Sequence, residues 1–103
     1  MTDKLSVTAR SIPEGQAFTV TGRIAQTLLS LIEAGPRGIT SLEAFEAGWA
    51  VRLAAYVHRL RSDCCLSIET RREPHRGGNH ARYVLISAIE VMARADASDR
   101  IAA

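Results

Sequence analysis

No apolar run in this chain approaches the roughly 20 residues that span a bilayer, and the first fifteen residues, "MTDKLSVTARSIPEG", hold no continuous hydrophobic segment. A membrane span and a secretory signal are therefore not expected, and a soluble, cytoplasmic protein is. Cysteine is confined to the adjacent pair Cys64 and Cys65, which is no disulfide framework and fits a reducing compartment. Lysine is nearly missing, Lys4 being the only one, so almost all positive charge is arginine. Paired carboxylates, a phosphate-binding glycine loop, internal repeats and low-complexity blocks are also missing. These gaps weigh against an enzyme, and no cofactor is expected.

What remains is one domain's worth of chain: 103 residues, 47% hydrophobic and 23% charged, which are globular values. The net charge of +2 says little about partners, but its distribution says more. Residues 49–83 carry seven arginines (52, 59, 61, 71, 72, 76 and 82) against Asp63, Glu69 and Glu73, a balance of +4 that leaves −2 for the rest. Arginine's planar fork of donors suits phosphates and guanine edges, so a one-sided basic surface is expected.

Periodicity divides the chain into elements. Between Arg23 and Ala34, Ile24, Ala25, Leu28, Leu29, Leu31 and Ile32 fall on one side of a helix, with Arg23, Gln26, Ser30 and Glu33 on the other. Thr21 can cap the start, and Gly35 with Pro36 ends it. "ITSLEAFEAG" sets Thr40 three residues before Glu43, a capping-box spacing, and predicts a short helix at about 41–47 that stops at Gly48. In "WAVRLAAYVHRLRS" the residues Trp49, Leu53, Tyr56, Val57 and Leu60 share one face, which is read as core. Val51, Arg52, Ala55, His58 and Arg59 share the other. Arg61 falls nearer the core side and is expected to pair with an acid or the backbone. "LSIETRR" and "ARYVLI" read as two strands joined by "EPHRGGNH", whose Pro74, Gly77, Gly78 and Asn79 are turn residues.

Helix, short helix, helix, hairpin is the order of a winged helix-turn-helix DNA-binding domain. The chain resembles one through "GITSLEAFEAG", "RLAAYVHRLRSD", "SIET" and "ARYVL", and is similar to the small helix-turn-helix proteins of bacterial phages and other mobile elements. The resemblance spans roughly residues 22–86 and implies an α+β fold: a three-helix core, a two-stranded β-hairpin wing and, here, a C-terminal helix. It implies that the third helix enters the major groove, with Arg52, Ala55, His58 and Arg59 toward base edges, and that Arg71, Arg72 and Arg76 serve the wing. Arg82 joins the last three as a phosphate or minor-groove contact. Such proteins often place a glycine soon after the recognition helix, where this chain has Cys64 and Cys65.

Arginines that neutralise phosphates release counterions and give salt-sensitive affinity, and a forked contact to guanine is worth about 1–3 kcal/mol of discrimination. Arg52 and Arg59 are the better base readers. Glu43 and Glu46 argue against extensive DNA contact by the second helix. A zinc site is disfavoured: His75 and His80 have half of a finger's spacing, but adjacent cysteines on an extended segment point to opposite faces. Cys64 beside His58 lacks the orienting group and oxyanion device of a nucleophile. Trp49 and Tyr56 are assigned to packing rather than base stacking.

Three regions follow: residues 1–20 as an N-terminal arm or hairpin turning at "IPEGQ", residues 21–86 as the winged helix domain, and residues 87–103 as a C-terminal helix or tail. The tail opens on Ser87 and Glu90 at capping-box spacing, and its apolar Ile89, Val91 and Met92 offer a route to a homodimer. The expected function is sequence-specific double-stranded DNA binding by a small transcriptional regulator or mobile-element accessory protein. The alternative is a protein-interaction module on the same fold.

Overall fold

A computed structural model describes residues 5–48 and 52–95. The chain opens with strand β1 (Ser6–Ser11), turns, and returns as β2 (Phe18–Thr21), which runs directly into helix α1 (Gly22–Ala34). A 3₁₀ turn at Gly35–Arg37 leads to the two-residue strand β3 (Ile39–Thr40) and helix α2 (Ser41–Glu46). Helix α3 (Leu53–Asp63) is followed by β4 (Ile68–His75), β5 (Gly78–Leu85) and β6 (Ile89–Ala95). Two antiparallel sheets result, one in the order β2-β1-β6 and one in the order β3-β5-β4.

The core lies where the apolar faces of α1 and α3 meet both sheets. Ala25, Leu28 and Leu31 of α1 and Leu60 of α3 are fully buried, with Leu53 and Val57 almost so. Val7 and Ala9 come from β1, Ile68 from β4 and Tyr83 from β5. Thr27, also fully buried, keeps its hydroxyl satisfied by donating to the Arg23 carbonyl one turn earlier, at 2.8 Å. The expected face of α1 is thus the packed one. Its start differs: Thr21 sits at the N-cap but makes no side-chain capping bond, because it is also the last residue of β2, paired with Ser6. Gly35 ends the helix with φ of 57°, a left-handed conformation in which glycine avoids the Cβ clash.

The capping box of α2 forms as its spacing predicts. Thr40 Oγ1 accepts from the Glu43 amide at 3.1 Å, and Glu43 Oε1 accepts from the Thr40 amide at 3.0 Å. Helix α3 begins at Leu53, with Arg52 at its N-cap; the part of its predicted span at 49–51, Trp49 included, lies outside the described residues. At its other end Cys65 has φ of 57°, and the Leu66 amide donates to the Leu60 carbonyl at 3.3 Å. The left-handed turn that commonly falls to glycine is made here by a cysteine.

Two expectations about the ends need correction or placement. Near the start of the chain, β1 and β2 pair antiparallel in a sheet separate from that of β4 and β5. The C-terminal helix does not form over Ile89–Ala95, which is strand β6, antiparallel to β1. Both residues of the supposed capping box are occupied elsewhere. Ser87 Oγ accepts from the Ser67 amide at 2.8 Å, and Glu90 pairs with Arg10, its cross-strand neighbour, at 2.7 Å. The edge of β1 offers a ladder of backbone hydrogen bonds, interrupted by one register shift between Thr8 and Ala9, and that tertiary gain outweighs the helix propensity of the segment. The homodimer expected through a C-terminal helix therefore has no such helix over these residues.

Candidate nucleic acid interface

Once Leu53, Val57 and Leu60 turn inward, the helical repeat fixes the outward side of α3. His58 and Arg59 are exposed on it and Ala55 is half-buried, while Arg52 is exposed at the N-cap, where φ of −126° and ψ of 47° are not helical. Arg59 is not idle: its Nε donates to Asp63 Oδ2 at 2.6 Å, one turn on, with both side chains more than half exposed. That hydrogen bond holds the Asp63 carboxyl below the usual carboxylate range. An ion pair this exposed is screened by solvent and contributes little, so a phosphate could displace the carboxylate at little cost.

The β4–β5 hairpin is longer than the glycine-rich joint suggested. Pairing continues from Ile68 with Leu85 to His75 with Gly78, leaving only Arg76 and Gly77 as the turn. Pro74 is accommodated because β4 is an edge strand, where a missing N–H breaks no ladder. Side chains alternate along the hairpin. Arg72 and Arg76 are exposed and have no ion pair among the described residues, whereas Arg71 is exposed and paired with Glu69.

Arg82 is placed differently. Its side chain is 19% exposed and its Nε donates to Glu73 Oε2 at 2.8 Å. Its Nη1 lies 3.3 Å from Glu43 Oε1 and donates to the Arg37 carbonyl at 3.3 Å. The guanidinium thus spans from the hairpin to the capping residue of α2, and it holds the Glu73 carboxyl below its usual range. Arg61 behaves as its position on the helix predicts, donating from Nε to the Ile68 carbonyl at 3.1 Å and from Nη2 to Thr70 Oγ1 at 2.7 Å. The guanidinium also sits 6.0 Å from the Tyr83 ring centre.

The structure therefore places His58 and Arg59 on α3, Arg52 at its N-cap, and Arg71, Arg72 and Arg76 on the hairpin, and turns Arg82 toward α2. Sequence reasoning missed a cleft of about 570 Å³ between α2 and the hairpin, lined by Leu42, Glu43, Glu46, His75, His80 and Arg82. A two-residue turn at Arg76 and Gly77 was the signal for it, since that register places Glu73 opposite His80.

Other chemistries find little support. Among the described residues no group of three or more histidine, cysteine or acidic side chains is placed to hold a metal. Burial pushes the Cys64 thiol up, away from the thiolate a nucleophile needs. No helix among the described residues is long and apolar enough to cross a membrane.

No curated protein and no solved structure matches this chain. A family model for a winged helix domain matches residues 17–95, from just before β2 to the end of β6. Winged helix domains are typically non-enzymatic modules, and membership points generally to DNA as the partner. With a match over most of its length and an α+β architecture of helices and antiparallel hairpins, the chain belongs to the winged helix domain family.

Proposed function

We propose that this protein binds double-stranded DNA sequence-specifically, as a small transcriptional regulator or an accessory protein of a phage or other mobile element, in the cytoplasm. The observation that carries the reading is the exposure of His58 and Arg59 on the outward side of α3 and of Arg52 at its N-cap, with Arg72 and Arg76, which have no ion pair among the described residues, on the hairpin that follows. Eleven residues of helix span about 16 Å, enough to lie across a major groove. In this reading Arg52 and Arg59 read base edges, Ala55 lets the backbone approach, and His58 adds a donor. Arg71, Arg72 and Arg76 hold phosphates from the hairpin, which acts as the wing. Arg82 supports that wing from behind rather than touching DNA.

Selection from a random duplex pool tests this directly. An enriched motif that Arg52→Ala with Arg59→Ala abolishes is expected, together with binding that weakens steeply as salt rises. Absence of binding at low salt, or binding insensitive to salt, counts against it.

A second reading, a protein-interaction module, is favoured by one observation. Leu42 and Phe45 of α2 are 64% and 60% exposed, one helical turn apart and beside Glu46. In that case the pool yields no motif and the double arginine variant behaves as wild type.

A further inference from the structure

The face of the hairpin that looks into the α2 cleft carries a cluster of side chains, His75, His80, Glu73 and Arg82. His75 Nδ1 and His80 Nδ1 are 2.8 Å apart, the ring planes are 12° from parallel, and the ring centres are 5.1 Å apart. That separation equals the nitrogen-to-nitrogen distance plus one ring radius at each end. The rings therefore meet edge to edge and nearly coplanar, nitrogen facing nitrogen, which is the in-line geometry of a hydrogen bond. On the far side of His80, Nε2 lies 3.0 Å from Glu73 Oε1, and Glu73 Oε2 accepts from Arg82. The other charged groups on this side are Glu69 and Arg71 on β4, paired with each other, and, from α2, Glu43 and Glu46.

The hydrogens can be assigned from this chain. Glu73, kept ionised first by its bond from Arg82, only accepts, so His80 Nε2 carries a hydrogen. A neutral His80 then has a bare Nδ1, and His75 Nδ1 must be the donor. His75 Nε2 is left bare.

We propose that His75 and His80 form a proton-sharing clasp at the hairpin tip, which holds with the first added proton and opens with the second. The first proton enters at His75 Nε2. Whichever ring then carries the charge, a single hydrogen remains between the two Nδ1 atoms, and the bond becomes charge-assisted. On His80 that charge meets the Glu73 carboxylate. A second proton sets N–H against N–H and cation against cation, leaving neither donor an acceptor. One added proton thus puts a positive charge beside Arg76 without loosening the hairpin, and a second releases its tip. The clasp stands independently of the DNA reading.

The test is a pH series of long-range ¹H–¹⁵N spectra of the imidazoles in the full-length protein. Near neutrality, His75 is expected to be protonated at Nδ1 only and His80 at Nε2 only. On acidification His75 Nε2 gains its proton while ring-to-ring contacts persist, and those contacts disappear with the next uptake. In His75→Phe, His80 takes one proton in one step. Finding both rings in the Nε2–H form near neutrality, or both taking protons together in wild type, overturns the clasp. So does a two-step response of His80 that survives in His75→Phe.

Discussion

Arg61, in the last turn of α3, donates from both Nε and Nη2 to the carbonyl of Ile68, at the first residue of β4. This one guanidinium ties the helix to the hairpin across the left-handed turn between them. Charge-assisted bonds to a half-buried carbonyl are worth about 1.5–3 kcal/mol, less where water reaches them. Arg61→Ala is expected to lower stability by about 1–2 kcal/mol in urea titration, and Arg61→Lys, which cannot fork, should recover only part of that.

The turn itself holds a cysteine where glycine is at ease. Cys65, exposed and with φ of 57°, makes no core contact that its removal would cost. A non-glycine residue in this region stores about 1 kcal/mol, partly offset by glycine's greater freedom when unfolded. Cys65→Gly should therefore raise the melting temperature by a few degrees, and Cys65→Val should lower it.

Gly38 is the opposite case. A Cβ built there meets the Tyr83 carbonyl oxygen and comes within 2.7 Å of Val84 Cγ2, and φ is already +67°. Gly38→Ala must push β3 away from β5 or distort the backbone, with an expected loss of about 2–3 kcal/mol measured by chemical denaturation. Gly35, with the same sign of φ but open space, should lose less on the same change.

Glu73 makes stability depend on acid in a definite direction. Its folded carboxyl is held below the unfolded value, first by the Arg82 hydrogen bond. Its contribution is therefore present above the unfolded pKa and is lost as pH falls through the folded one. Wild type should melt above Glu73→Gln near neutrality, and the gap should close at a pH low enough to protonate the folded carboxyl. A gap that stays constant down to that pH would show that the ion pair is not its source.

On the hairpin, Arg72→Ala with Arg76→Ala is expected to weaken DNA binding about equally for all sequences and to flatten its salt dependence by about two units of slope. The Arg52 and Arg59 variants should change which sequence is preferred. Gel-shift titrations over a salt series separate the two effects.

Legibility followed the range of the interactions. The stripe of α1, the Thr40–Glu43 box and the inward set Leu53, Val57 and Leu60 are written within one or two helical turns, and all are where local spacing puts them. Arg61 was also readable from its angle on the helix. Strand β6 was not, because its partner β1 lies some eighty residues away and both ends of a false capping box are engaged by Ser67 and Arg10. The partners of Arg82 were not readable for a related reason. Its composition reads as basic wing, while its two carboxylates come from β4 and α2. The proton-bearing contact between His75 and His80 needed the strand register, which the double glycine concealed.

The β1–β6 pair joins the two ends of the folded unit, since Ser6 stands opposite Ala95. Because the strands run antiparallel, the entering and leaving chains emerge side by side. A force applied to them would open the ladder like a zipper, one bond at a time, rather than shearing it whole. The same neighbourhood means that the unit could be spliced into a loop of another protein through short joints. A version trimmed to the family-matched residues 17–95 would lose the middle strand of the sheet and, with Val7 and Ala9, one wall of the core.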